Sequence, residues 1–264
     1  MKRSTFVAGS LMTGLVATIL PGLSTAAPSK DKSPGQYFEL REYLLKDAAQ
    51  QGITENYLQH AAIPALNRAG VQHVGVFTEM KPEGQTKLFI LLTYTSLEQF
   101  AGLNSKLERD REYLQAAAAY LNAPVTAPAY ERISSSLMKA FTHMPRLSVP
   151  AANTRIFELR QYQSASESAG KKKIEMFNDQ GEIDIFSRLG FKPVFFGETL
   201  IGELRPNLTY MITFDDLAAH DAHWKSFGAD SEWKKISSVP EYADALLVSK
   251  ITSTLLVPAT YSQI

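Results

Sequence analysis

The sequence predicts an α+β protein made of two tandem units, each with the β-α-β-β-α-β order of a ferredoxin-like fold. Three observations predict it. The stretch Phe157-Glu158-Leu159-Arg160 repeats Phe38-Glu39-Leu40-Arg41, and a tyrosine follows two places on, at Tyr162 and Tyr43. The offset is 158 − 39 = 119 residues. Later landmarks recur at nearly that spacing: Gly75 answers Gly197, Leu88 to Tyr94 answers Leu208 to Phe214, and Ile133-Ser134-Ser135-Ser136-Leu137 answers Ile251-Thr252-Ser253-Thr254-Leu255. Ordered matches at one spacing mark a duplication. Finally, each copy opens on a stretch of period two, the signature of a strand, and continues into a stretch that reads as helix.

In the first unit, residues 37–43 alternate as a strand, with Phe38 and Leu40 on one face and Glu39, Arg41 and Tyr43 on the other. Residues 48–69 read as a helix that Gly70 stops and Pro64 kinks or splits. Strands follow at 71–79 and 87–95, joined by the Lys81-Pro82-Glu83-Gly84 turn. The second of these is rich in Leu and Ile, as suits a central strand covered on both faces. Ser96 caps the next helix, further helix runs over 107–121, and 130–141 is the fourth strand. The second unit repeats the scheme: strand 155–162, helix 171–189 interrupted near Gly181, strands 194–201 and 208–214, a helix from Asp215 to Phe227, and a last strand 245–257. The domain plan is therefore a signal peptide 1–26, a leader 27–36, a first domain 37–141, a linker 142–154, a second domain 155–258 and a tail 259–264.

The signal peptide rests on basic Lys2 and Arg3, an apolar run from Phe6 to Leu20, and small residues at Ser24-Thr25-Ala26. The run is too short for a comfortable span, so export to the periplasm or medium is expected, with cleavage near Ala26 and no stable membrane insertion afterwards. The second arginine of a twin-arginine signal is missing, which favours the general secretory route. The chain has no cysteine, which excludes disulfides, thiolate catalysis and cysteine-held metals. Basic and acidic residues number 27 each and no basic tract stands out, so nucleic acid is not an expected partner.

Several motifs resemble the NIPSNAP family: Phe157-Glu158-Leu159-Arg160-Gln161-Tyr162, Gly181-Glu182-Ile183, Pro193-Val194-Phe195-Phe196-Gly197-Glu198 and Asn207-Leu208-Thr209-Tyr210-Met211. The first unit is the more divergent, with Val74-Gly75-Val76-Phe77 in place of the fuller aromatic run. The resemblance implies the dimeric α/β barrel superfamily, in which two ferredoxin-like units set their sheets together; here one chain supplies both. That superfamily includes monooxygenases, isomerases and haem-handling enzymes, whereas NIPSNAP proteins have no settled activity, and fold does not decide function.

The leading candidate site is the polar face of the two first strands: Glu39, Arg41 and Tyr43 with Glu158, Arg160 and Tyr162. If the sheets close on each other, both faces converge on the barrel interior. They then either hold a small molecule, an anionic one suiting the arginines, or pair internally as sheet-stitching ions. In several members of the superfamily that the resemblance implies, the pocket lies on the opposite face, between sheet and helices. His60 on the apolar side of the first helix and Glu198 in an aromatic strand are secondary candidates for proton transfer. His220 and His223, three apart, read as a solvated helix face beside Trp224, and Lys171-Lys172-Lys173 as a solvated helix start. No metal site and no cofactor is expected, haem entering only through the superfamily. Catalytic residues are unassigned. The expectation is a small-molecule-binding protein, with a barrel enzyme and a non-catalytic interaction module as alternatives, and a homodimer is compatible with the fold.

Overall fold

The computed structural model describes residues 34–151 and 155–264. The expected signal peptide, leader residues 27–33 and linker residues 152–154 lie outside the described residues. Eight strands close into one barrel. In chain order they are β1 (Tyr37–Leu45), β2 (Gly75–Glu79), β3 (Thr86–Tyr94), β4 (Arg132–Ala140), β5 (Ile156–Gln163), β6 (Lys192–Ile201), β7 (Asn207–Phe214) and β8 (Lys250–Pro258). Around the barrel they run β1-β3-β2-β8-β5-β7-β6-β4, every neighbouring pair antiparallel. Each half contributes four adjacent strands, and the two seams, β2 with β8 and β4 with β6, join the halves. A sheet closed this way has no unpaired edge to shield.

Helices cover the outside. In the first half α1 (Ala48–Tyr57) passes through a π-helical turn, Leu58–Ala62, into α2 (Ile63–Arg68), and α3 (Leu97–Leu107), α4 (Arg111–Ala116) and α5 (Ala118–Leu121) follow β3. In the second half α6 (Glu167–Asn178) and α7 (Glu182–Arg188) precede β6, and α8 (Leu217–Ala229), α9 (Ser231–Ser237) and α10 (Asp244–Leu247) follow β7. Their starts carry the expected chemistry: Asp47, Ser96, Ser166 and Asp216 each accept a hydrogen bond from a first-turn amide. Several boundaries differ from expectation. The long first helix is relieved by an extra-wide turn just before Pro64 instead of breaking at it, β2 starts at Gly75 and α6 at Glu167, and residues 245–247, read as strand, belong to α10.

The period-two strands sort their side chains into two layers. Inside the barrel lie Phe38, Leu40, Phe77, Phe89, Leu91 and Met138 from the first half, packed on Phe157, Leu159, Phe195, Met211 and Leu256 from the second. Phe38 meets Phe195 at 5.0 Å between ring centroids, and Phe77 meets Phe157 at 4.9 Å. Each fully buried phenylalanine is worth about 1.5–3 kcal/mol, so this layer is the main bond between the halves. The segment 259–264, read as a short tail, returns to the barrel. Gln263 donates its amide to the Val74 carbonyl at 2.9 Å, and Ile264 enters the interior cluster.

The register corrects one landmark of the repeat. Leu40 faces Leu91, and its counterpart Leu159 faces Met211, which makes Leu91 equivalent to Met211 (211 − 91 = 120). Gly75 pairs with Leu91 and Phe195 with Met211, so Gly75 corresponds to Phe195 and Phe77 to Gly197. Glycine and phenylalanine have exchanged places between the halves. A Cβ on Gly75 would lie 2.6 Å from the Phe77 ring and 3.1 Å from Ile264, so the glycine makes room for a large neighbour.

The helical cover of the second half contains a buried cation. Lys173, read as a solvated helix start, is 1% exposed. Only the last of three consecutive lysines falls on the inward side of α6. Its Nζ lies 3.1 Å from Asp244 and 3.9 Å from Glu182, among the rings of Tyr162, Phe177 and Trp233 at 5.4–5.7 Å. Burial pushes Glu182 up to about 7, against the pull of Lys173.

Two predictions follow from this packing. Gly75→Ala should cost about 1–3 kcal/mol in urea unfolding by overpacking the barrel, whereas Gly52→Ala, in α1 with open space around it, should gain about 0.5–1 kcal/mol. Between pH 4.5 and about 7 the unfolded chain has released the Glu182 proton that the folded chain keeps, so this group's contribution falls as pH rises. Glu182→Gln should remove that decline, on the order of 2 kcal/mol, read as a flatter curve of unfolding free energy against pH.

Candidate functional site

The Glu-x-Arg-x-Tyr faces do not converge. Phe38 and Leu40 point into the barrel, so Glu39, Arg41 and Tyr43 point out beneath the first half's helices, and Glu158, Arg160 and Tyr162 do the same in the second half. Alternation separates the two faces of a strand; packing chooses which goes inside. The side carrying Phe38 and Leu40 took the closed interior, because a desolvated charge there would cost several kcal/mol.

Each glutamate is enclosed by donors. Glu39 accepts from Arg41 Nε at 2.7 Å and Nη2 at 2.9 Å, from Tyr94 OH at 2.6 Å and from Ser135 Oγ at 2.7 Å. Burial alone would raise its pKa, but Arg41, Ser135 and Tyr94 outweigh it and hold the carboxyl below its usual range. Glu158 accepts from Arg160 Nη1 at 2.7 Å, Ser253 Oγ at 2.6 Å and Trp224 Nε1 at 2.7 Å, with His220 Nε2 at 3.2 Å. Arg160 also donates to Tyr162 OH at 3.0 Å and lies 4.5 Å from the Trp224 ring. The halves solve one problem with different parts. Phe214 stands where the first half has Tyr94, and Trp224 from α8 supplies the missing donor. The α8 face is therefore packed, not solvated: His220 lies on the Phe214 ring at 4.9 Å, and His223 Nδ1 contacts the Ala219 carbonyl oxygen at 2.6 Å.

Tyr43 joins a tyrosine cluster through Tyr120 OH at 3.2 Å, with Tyr57 stacked on Tyr120 at 3.6 Å. The space left beside Arg41, Tyr43 and Tyr57 is about 20 Å³, room for one water. His60 is exposed on the π-helical turn, which rotates it away from the apolar side. Glu198 is half-buried at the edge of a shallow recess with Lys171 and Arg205, away from both glutamates.

A larger opening lies at the barrel end where β1 and β5 finish. It holds about 360 Å³, within the usual range of small-molecule pockets. Its floor is Leu40, Phe89 and Leu159. Above the floor the interior-facing positions become polar. Ser134 and Ser136 of β4 answer Thr252 and Thr254 of β8, and Glu42 of β1 answers Gln161 of β5. The rim is uneven. The first half places Glu42, Glu79 and Lys87 there, with Lys87 Nζ 2.9 Å from Glu42. At the register positions of Glu79 and Lys87 the second half has Thr199 and Asn207, hydrogen-bonded to each other at 2.6 Å. One Glu79 carboxylate oxygen is buried without a hydrogen bond, and burial raises the group's pKa against the pull of Lys87. Sequence reading missed this opening. Its signal was the recurring Ser-x-Ser and Thr-x-Thr spacing, which served only as a landmark of the repeat.

The NIPSNAP family model matches residues 157–263, the second half, and stops short of the divergent first half. No curated protein matches the sequence. Among solved structures, a candidate monooxygenase from Fusobacterium nucleatum aligns with TM-score 0.58 at 11% identity, over 85% of this chain and 93% of that one. A second, from Lactobacillus acidophilus, gives 0.55 at 10% identity, over 85% and 94%. A NIPSNAP family protein from Agrobacterium tumefaciens aligns with 45% of this chain and 98% of its own at 17% identity, TM-score 0.37. The first two share the fold along nearly their whole length. Residues 157–263 match the NIPSNAP family model, and the chain as a whole has the dimeric α/β barrel fold, with both halves of the barrel on one polypeptide.

Proposed function

We propose that this is an exported small-molecule-binding protein of the NIPSNAP type, and that its ligand sits in the mouth of the barrel. The observation that carries the reading is the opening itself: an apolar floor, uncommitted polar walls and a volume of about 360 Å³. The strand faces around Glu39 and Glu158 serve, in this reading, as internal clamps. Their arginines already spend donors on carboxylates, and the space beside Arg41 is only about 20 Å³. Export rests on the N-terminal sequence pattern. Among the described residues no helix is long and apolar enough to cross a membrane.

A second reading, a barrel enzyme, draws on Glu79, a half-buried carboxyl with a raised pKa beside a cavity. It also borrows from the names of the two monooxygenase-like neighbours, at identities that speak to fold alone. Oxygen consumption dependent on a supplied substrate, abolished by Glu79→Gln, would favour it over simple binding.

The main test is mass spectrometry of small molecules carried through gentle purification of the full chain. The wild type should retain a small molecule, and Thr252→Trp, which fills the mouth, should lose it while melting normally. Arg160→Ala should cost about 2–4 kcal/mol of stability by leaving Glu158 buried without its ion partner, yet retain the molecule at temperatures where it stays folded. Lys172→Ala, which removes surface pairs with Glu175 and Glu241, should cost less than Arg160→Ala. Retention lost in Arg160→Ala and kept in Thr252→Trp would return the site to the strand face.

A further inference from the structure

The mouth's hydrogen-bonding groups indicate what it takes, granted the proposal that it binds a ligand at all. We infer that the ligand is a neutral, polyhydroxylated small molecule of the monosaccharide or cyclitol class.

Some of the mouth's groups are already committed. At the rim, Lys87 and Glu42 pair at 2.9 Å, and Ser134 donates to Glu203 at 3.4 Å. Other uncharged groups of the wall are not spent. The hydroxyls of Ser136, Thr252 and Thr254 and the carboxamides of Gln161 and Gln163 line the cavity, and none bonds to another group among the described residues. Their neighbours Ser135 and Ser253, one residue out of phase, face the helices and are consumed by Glu39 and Glu158. The contrast comes from strand alternation alone. Ser135 and Ser253 hold the scaffold, and on the other face the hydroxyls of Ser136, Thr252 and Thr254 are free.

Hydroxyl and carboxamide groups both donate and accept. Five of them around one cavity match a ligand that also does both at many positions. A carboxylate only accepts and an ammonium only donates, so either would leave about half of the wall's capacity idle. Glu79 adds one specific demand, because its buried free oxygen needs a donor, which a ligand hydroxyl supplies. Leu40, Phe89 and Leu159 form the floor, a surface for the C–H face of a saturated ring. A net ligand charge of either sign would meet an opposing group at the mixed rim, where Glu79 and Glu203 stand against Lys250 beside the Glu42–Lys87 pair.

The test is amide chemical-shift mapping of the full chain titrated separately with D-glucose, myo-inositol, ethanolamine and citrate. The expected result is saturable shifts of β4, β5 and β8 amides around the mouth with glucose or inositol and none with the two charged probes. Thr252→Val and Gln161→Leu, which keep shape and remove hydrogen bonding, should each weaken binding about five- to ten-fold, the loss of roughly one hydrogen bond. Neither residue touches the Glu39 or Glu158 clamps, so unchanged melting temperatures would separate lost binding from lost folding. Saturable binding of ethanolamine or citrate at the mouth, with no response to the polyols, would overturn the ligand class and leave the binding site standing. Polyol shifts elsewhere, unaffected by the two variants, would also overturn the class. No shift at the mouth with any probe would count against the class and against the binding proposal together.

Discussion

The structure depends on the two backbone seams between β2 and β8 and between β4 and β6. A four-stranded half has two open edges, and one face of its sheet is dense with phenylalanine. Neither is tolerable in water alone. The partner half answers both at once, pairing the edges and covering the aromatic face. The remaining features follow from that closure. The apolar face turns inward, the Glu-x-Arg-x-Tyr face turns outward beneath helices, and the helices must then supply donors for buried carboxylates.

That last demand explains why two half-domains of similar backbone have different outer cores. The first half meets it with Tyr94 and a cluster of further tyrosines; the second uses Trp224 from α8 and fills the surrounding space with phenylalanine. Removing one donor from a buried carboxylate costs more than the mean worth of a hydrogen bond, so each shell holds as a set. This conservation of satisfied charge, with free choice of the group that satisfies it, is what a duplicated fold permits once its halves can vary separately.

The repeat, the strand alternation and most element boundaries were legible because they rest on local periodicity. The orientation of the polar face was not. The stretch from Tyr37 to Tyr43 has two faces that both contain aromatic groups, and only the facing sheet decides between them. Lys173 was hidden by the two lysines before it, neither of them buried, and its partners Asp244 and Glu182 come from other turns. His220 looked solvated because the contact that buries it, to Glu158, spans 62 residues. The Gly75 assignment failed for a related reason. Matching glycine to glycine aligns letters, whereas register aligns positions, and here glycine and phenylalanine have traded sides. The mouth left only the Ser-x-Ser and Thr-x-Thr spacing as a trace, since it exists only where the ends of six strands meet.

The uneven rim of the mouth has a geometric consequence. A barrel assembled from two identical subunits would present the same groups twice, related by a half-turn about the barrel axis, and a guest could enter in either of two equivalent poses. On this polypeptide the register positions of Glu79 and Lys87 carry Thr199 and Asn207, which do not line the mouth, and Glu42 answers Gln161. The half-turn is broken, so the two orientations of a guest cease to be equivalent.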